Sequence, residues 1–249
     1  MQKQDKIEFA PNLPMMAMHL ACGLAWWTGV SKWALAACAL LYLVRMFGVT
    51  AGYHRYFSHG SYKTGRIFQF ALAWLGCSAA QKGPLWWAGN HRLRHSHSDT
   101  DEDAHSPVRR GFWWAHLGWI LSSRFEATPW ERVKNLNGYR ELRFLNRLHL
   151  IPPVSLALSL YLLGAWIEHR APHQGVTGPQ MLVWGFFIST ALLYHATFTV
   201  NSLAHRYGVR RFPTRDFSRN NFWIALITLG EGWHNNHHLE GEYVTTCFQ

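Results

Sequence analysis

The sequence is poor in acid. Across 249 residues, 14 Asp and Glu stand against 24 Lys and Arg, a formal charge of +10 at pH 7. A basic balance invites an acidic partner. Here the basic residues flank apolar blocks instead of forming one stripe. That favours an anionic membrane face or an anionic substrate head over nucleic acid. Cysteine is scarce. Cys22, Cys38, Cys77 and Cys247 show no metal-type spacing and no disulfide framework, and three of them lie in apolar runs as small hydrophobes. Internal repeats and low-complexity linkers are lacking. So is a cleavable leader, because the apolar stretch after Lys3 and Lys6 is too long and has no evident cleavage site.

Aromatic residues are abundant: 14 Trp, 15 Phe and 9 Tyr. Such residues gather where a chain crosses a membrane–water interface. The mean hydropathy of −0.12 averages over strongly segregated apolar and polar blocks. Four segments are long enough to span a bilayer, 13–30, 33–52, 150–167 and 181–200, the second containing Arg45. The first two form a tight helical hairpin. The apolar stretches 67–80 and 112–121 are short and read as interfacial or re-entrant. Lys and Arg crowd the N-terminus, the segment 52–149 and the chain after Asn201, whereas the two opposite loops carry little more than Lys32 and Arg170. The positive-inside rule then places both termini and the long loop in the cytosol. The expected fold is an all-α integral membrane protein. Four transmembrane helices would carry a cytosolic helical cap, made by 53–149 and 201–249, within a single domain.

Sixteen histidines supply the chemistry. His54 and His59 sit in HRYFSH, His91, His95 and His97 in NHRLRHSH, His205 in NSLAH, and His234, His237 and His238 in HNNHH. Each cluster follows an apolar stretch, and all four fall on the same side of the expected membrane. His91 and His95, Asn201 and His205, and His234 and His238 are four apart, so each pair shares a helix face. His54 and His59 are five apart and need a helix end between them. Neutral imidazole is the commonest ligand of redox metals, and this many donors exceeds the needs of one ion. Asp99, Asp101, Glu102 and Asp103 read as a solvated loop with carboxylates able to orient histidine ligands. His105 and His116 lie near the second cluster. His149, His169 and His173 read as surface residues, and His19 and His195 lie within spans.

HRYFSH, His91-Arg92-Leu93-Arg94-His95, Asn201 with His205, and HNNHH resemble, in order, the motifs of the membrane fatty-acid desaturases of the acyl-CoA or stearoyl Δ9 type. The segments GYHRYFSH, RRGFWWAHLGW and GEGWHNNHH resemble that family too. The likeness covers about residues 13–238. It implies two iron ions held by His54, His59, His91, His95, His205, His234, His237 and His238, with Asn201 positioning a water. It implies O2 as co-substrate, electrons from a cytochrome b5 or ferredoxin-type donor, and removal of two hydrogens from adjacent acyl carbons. The acyl chain would bend at Gln81, Trp87 and Thr197. Its carrier would be CoA or a lipid. Family members that take acyl-CoA have charged residues where Gly89 and Asn90 stand, which leaves Lys82, Arg92, Arg109 and Arg110 to meet an anionic head.

Three departures stand out. Arg94 occupies the place of a family histidine and cannot ligate a metal, so His97 becomes a candidate substitute. Phe198 replaces a Trp often found beside Thr197. The chain after His238 reads LEGEYVTTCFQ, unlike the family's longer basic tail. A related hydroxylase and a catalytically impaired relative are the neighbouring readings. A histidine-lined transporter is disfavoured, because the clusters lie beyond the spans.

Overall fold

A computed structural model describes residues 7–9, 12–100, 103 and 106–244. Asp101, Glu102, His105, Cys247 and the chain after Val244 lie outside the described residues. The described residues form helices, turns and isolated bridges, with no strand. This agrees with the all-α expectation.

Among the described residues, three helices are long and apolar enough to cross a membrane: Lys32–Ser58 (α3), Ile151–Arg170 (α7) and Gly178–Ser202 (α8). They match the expected spans 33–52, 150–167 and 181–200, with α3 and α8 longer at both ends and α7 longer at its C-terminal end. The expected first span is not one helix. Leu13–Cys22 (α1) and Ala25–Thr28 (α2) are separated at Gly23 and Leu24. At 1.5 Å per residue these pieces together reach roughly 24 Å, short of a hydrocarbon core of about 30 Å. Trp26 and Trp27 are 93% and 85% exposed, as interfacial or lipid-facing rings are.

The hairpin turns at Gly29, whose φ of +65° suits glycine. The Ser31 side chain then caps α3 by accepting from the Ala34 N–H at 3.2 Å. The Gln180 side chain donates to the Thr28 carbonyl at 3.0 Å, and the Trp184 indole to that of Gly29 at 2.8 Å, tying the hairpin tip to α8. Helices α7 and α8 approach closely at Gly164, where a Cβ would lie 2.6 Å from the Thr177 carbonyl oxygen. Small residues at such crossings let membrane helices pack backbone to backbone. Arg45, fully buried, joins three helices. It donates to the Ser78 carbonyl at the end of Arg66–Ser78 (α4) and to the Ser189 and Thr190 hydroxyls of α8. A charge inside a span is tolerated when its donors are satisfied in this way.

Over the ends of these helices lie α4, Pro84–Ser96 (α5) and Arg140–Arg147 (α6). At 13 residues α4 is too short to span, as the sequence led us to expect. The interior here is built from Tyr53, Phe57, Leu72, Leu85, Val133, Leu142 and Leu145. Helix α6 buries Leu142 and Leu145 and turns its charges outward, with Glu141 accepting two bonds from Arg66. Phe222–Ile227 (α9) and His234–Val244 (α10) complete the described chain.

Candidate metal centre

Helix α3 changes register before it ends. From Gly48 to Ser58 it is π-helical, with bonds reaching five residues back, and the His59 N–H closes on the His54 carbonyl at 3.2 Å. A five-residue turn stacks residues five apart. His54 and His59 therefore face the same point, with ring centroids 4.7 Å apart. Helix α5 starts with Pro84 at its first position, which suits a missing N–H. It presents His91 and His95 one turn apart. Helix α10 starts under Asn220, whose side-chain oxygen accepts from the N–H groups of Asn235 and Asn236 at 3.0 and 3.2 Å.

The histidines converge into two groups. His54, His59, His91, His95 and His237 form one; His205, His234 and His238 form the other. In the first, the Nε2 atoms of His54 and His237 are 3.1 Å apart, His237 and His95 3.1 Å, His95 and His91 2.9 Å, and His91 and His59 2.9 Å. Two nitrogens each about 2.1 Å from one metal lie about 3.0 Å apart at 90° and about 3.4 Å apart at the tetrahedral angle. The observed spacing matches the 90° geometry. One nitrogen carries either a proton or a lone pair, so His91, His95 and His237, each meeting two neighbours, are not all satisfied by hydrogen bonds among themselves. A cation satisfies all five lone pairs at once and keeps a sixth position open. The five-histidine group therefore fits a transition metal.

Carboxylates orient the rings from behind. Glu231 lies 2.5 Å from His54 Nδ1, Asp99 lies 2.8 Å from His205 Nδ1, and Asp216 contacts His238 Nδ1. The bonds from His205 Nδ1 to Asp99 and from His238 Nδ1 to Asp216 fix the tautomer that leaves Nε2 free, and Glu231 sets a negative charge behind His54. Asp99 does this in the left-handed region, φ +56°, and also accepts from the Ser106 hydroxyl and the Phe217 N–H. Burial alone would raise the Asp99 and Asp216 carboxyls. The bonds from His205, Ser106 and Phe217 hold Asp99 below its ordinary value, and those from His238 and Ser218 hold Asp216 below its own. Burial, then the neighbouring imidazoles and Arg92, pushes His59 down to about 2. Burial, then the neighbouring imidazoles and, for His91, His95 and His234, Arg94, push His91, His95, His234 and His237 well below the ordinary imidazole value. Their resting state is neutral, the form that ligates metal.

The second group contains Arg94. This buried guanidinium donates to Asn201 Oδ1 and lies 3.4 Å from His205 Nε2 and 3.3 Å from His234 Nε2. Burial lowers its pKa, opposed by Asp103, Asp99, Asp216 and Glu231. Arg remains charged in such surroundings. As arranged, this group does not fit a second cation. His97 joins neither group; its Nδ1 meets the Leu93 carbonyl at 3.1 Å and the Ser96 hydroxyl at 3.0 Å.

Beside both groups runs a cavity of about 520 Å³. Met15, Met18, Pro153 and Phe186 line it, as do His54, His91, Arg94 and His234. Gln81, Trp87 and Thr197 meet on its wall. The Gln81 amide donates to the Thr197 hydroxyl at 2.8 Å and accepts from the Trp87 indole at 3.2 Å. Lys82 and Asn90 also line the cavity. Arg92 does not serve a head group, since its donors go to the carbonyls of Phe57, Ser58 and Arg132 and to Asn135. Gly89 packs on Pro129, where a Cβ would come within 2.9 Å.

Sequence reasoning missed Glu231 and Asp216, which carry no spacing signal, although Glu231 lies in GEGWHNNHH. It also missed a run of three imidazoles. His19 Nε2 lies 3.2 Å from His195 Nε2, His195 Nδ1 lies 3.0 Å from His116 Nε2, and His116 Nδ1 meets the Ser202 hydroxyl at 2.9 Å.

Residues 31–243 match the fatty acid desaturase family model. The chain is 34% identical over 238 residues to an sn-1 stearoyl-lipid 9-desaturase of Anabaena variabilis, covering 94% of this chain and 82% of that one. It is 36% identical over 220 residues to an sn-2 palmitoyl-lipid 9-desaturase of a Nostoc species, covering 84% and 72%. It is 35% identical over 217 residues to an acyl-CoA 5-desaturase of Anemone leveillei, covering 86% of this chain but only 61% of the plant protein. The chain belongs to the fatty acid desaturase family of oxidoreductases.

Proposed function

We propose that this chain desaturates a long acyl chain at a membrane surface, using O2, and that Arg94 makes its natural form slow. One observation carries the reading: the same largely apolar cavity is lined both by Met18 and Phe186 and by His54, His91 and His234. An acyl chain threaded past Gln81, Trp87 and Thr197 would bring one carbon–carbon bond beside the histidines. The bonded trio sets where the chain bends, and so which bond is presented. Buried apolar walls exclude water from that bond.

Iron bound at the histidines would supply the redox chemistry that reduces O2 to water. Of the four electrons needed, two come from the substrate's paired C–H bonds and two from an external donor of cytochrome b5 or ferredoxin type. His54, His59, His91, His95 and His237 are the proposed ligands of a first iron. His205, His234 and His238, with Asn201 through a water, are the positions for a second, and Arg94 stands among them. Their carboxylate partners hold the rings in place.

In the membrane, α3, α7 and α8 would span and the shorter α1–α2 hairpin arm would complete a fourth crossing where the bilayer thins around it, as one domain. Both termini and the histidine groups would face the cytosol, by the distribution of Lys and Arg. Relatives that act on acyl-lipids and on acyl-CoA are both at hand. A 9-type position and either carrier are consistent with them. Native mass spectrometry of the purified protein tests the reading. It should release a bound acyl-lipid or acyl-CoA, and Thr197→Trp, which fills the bend, should abolish that binding. A wild-type cavity that takes up no acyl ligand sinks the reading.

A further inference from the structure

The three-histidine group already holds a cation. Arg94 is one residue before His95 on α5, so its side chain leaves the helix on a different face, toward Asn201, His205 and His234. A guanidinium only donates. Its contacts at 3.4 Å to His205 Nε2 and 3.3 Å to His234 Nε2 therefore require those nitrogens as acceptors. For His205 the tautomer agrees, because Nδ1 faces Asp99 Oδ2 at 2.8 Å and donates its proton there. The lone pairs that meet Arg94 are those a metal would take.

The two Nε2 atoms lie 3.0 Å apart. A metal about 2.1 Å from each, on the side where their lone pairs meet Arg94, would come within about 2 Å of the guanidinium nitrogen. That is inside van der Waals contact, and the two positive charges would also repel in a buried setting. Arg94 Nη1 further engages the Asn201 oxygen, the atom that would otherwise hold a water. His238 Nε2 is the remaining lone pair and has no hydrogen-bond partner. The five-histidine group has no such occupant: its neighbour Arg92 is drawn away to the carbonyls of Phe57 and Ser58.

We propose that the Arg94 guanidinium takes the second metal's place, so that the chain binds one divalent transition metal, at the five-histidine group. The protein would carry one dissociable metal and one built-in cation. This deepens the functional reading above, since it rests on the histidine groups as metal sites, but it does not depend on any acyl product.

The test counts metal. Full-length protein in detergent, stripped by chelator, is titrated anaerobically with Fe(II), desalted and analysed for iron. One equivalent is expected for the natural chain and two for Arg94→His, a twofold rise. Two equivalents or none in the natural chain would overturn the proposal, as would one in a folded Arg94→His. Should Arg94→His fail to fold, His238→Ala serves instead. It should keep the natural chain's one equivalent, whereas a loss of iron in that variant would overturn the proposal. A one-iron protein that never desaturates anything would sink the functional reading and leave the metal count standing.

Discussion

His237 and His238 are neighbours in the chain and face different histidine groups. His237 Nε2 lies 3.1 Å from both His54 and His95, while His238 contacts Asp216 and stacks obliquely on His234 at 4.3 Å. A helix makes this possible. His234 and His238 share a face at four residues, and His237 is rotated off it. The two alanine variants should therefore part. His237→Ala should lose bound iron altogether, because it removes one of five ligands that meet edge to edge, whereas His238→Ala should retain it. Iron analysis of the two purified variants checks this, and equal losses would contradict the grouping.

Glu231 places a carboxylate oxygen 2.5 Å from His54 Nδ1. Glu231→Gln keeps the shape and removes the charge. We expect iron affinity to fall about 10–100-fold, the range seen when partners of ligating histidines are changed. Competition with a chromophoric chelator measures it. An unchanged affinity would show that the carboxylate does not orient the ring.

Most of the helices were legible in the sequence because their signals are long and periodic: apolar runs for α3, α7 and α8, and four-residue histidine spacing for α5 and α10. Two features were not. Nothing in 13–30 marks the break at Gly23 and Leu24, since glycine is common within membrane helices. The π-helical end of α3 has no spacing signal of its own, and only that register explains why His54 and His59, five apart, face one point. Histidines were easy to find by type, but their division into five and three was not. Nor could Asp216 and Glu231 be told from ordinary surface acids without the fold. Arg94 was visible as a departure, yet its position between His205 and His234 is a three-dimensional fact.

Acid should destabilise the metal-free protein. His59, His91, His95, His234 and His237 are held below their ordinary values by burial. In the unfolded chain each titrates near 6.5. Below that pH the unfolded state binds protons the folded state refuses, so stability falls as pH falls. Each such imidazole contributes up to about 1.4 kcal/mol per pH unit. Thermal unfolding of chelator-treated protein at pH 8 and pH 5.5 should show a clearly lower Tm at 5.5. Iron-loaded protein should resist the change, because the metal favours the neutral rings. A Tm that does not depend on pH would contradict neutral burial.

Gly76 lies against Tyr53, and a Cβ there would meet the ring at 2.3 Å. Tyr53 is fully buried, with its hydroxyl donating to the Lys82 carbonyl at 2.8 Å. Gly76→Ala should cost about 1–3 kcal/mol by overpacking and should disturb α3 one residue before His54. Thermal unfolding with iron content as a second reading checks both; a variant as stable as the natural chain would show that α4 shifts freely.

Gln81 joins Trp87 to Thr197 across the cavity wall. Gln81→Ala leaves both partners without that bond, at about 1–3 kcal/mol if they stay buried and dry. The acyl chain should then be held less uniquely, so that products carry the double bond at more than one position. Chromatographic location of the double bond measures it, and a single unchanged position would remove Gln81 from the bend.

The central claim is that an acyl chain in this cavity is oxidised beside the histidine groups, at a rate limited by Arg94. The most direct measurement is the fatty-acid profile of a desaturase-deficient host expressing either the natural chain or Arg94→His. The account predicts a new monounsaturated acyl chain with Arg94→His, at least about tenfold above the natural chain, a rate gain corresponding to roughly 1.4 kcal/mol. A profile that stays saturated with both proteins, each folded and holding iron, would contradict it.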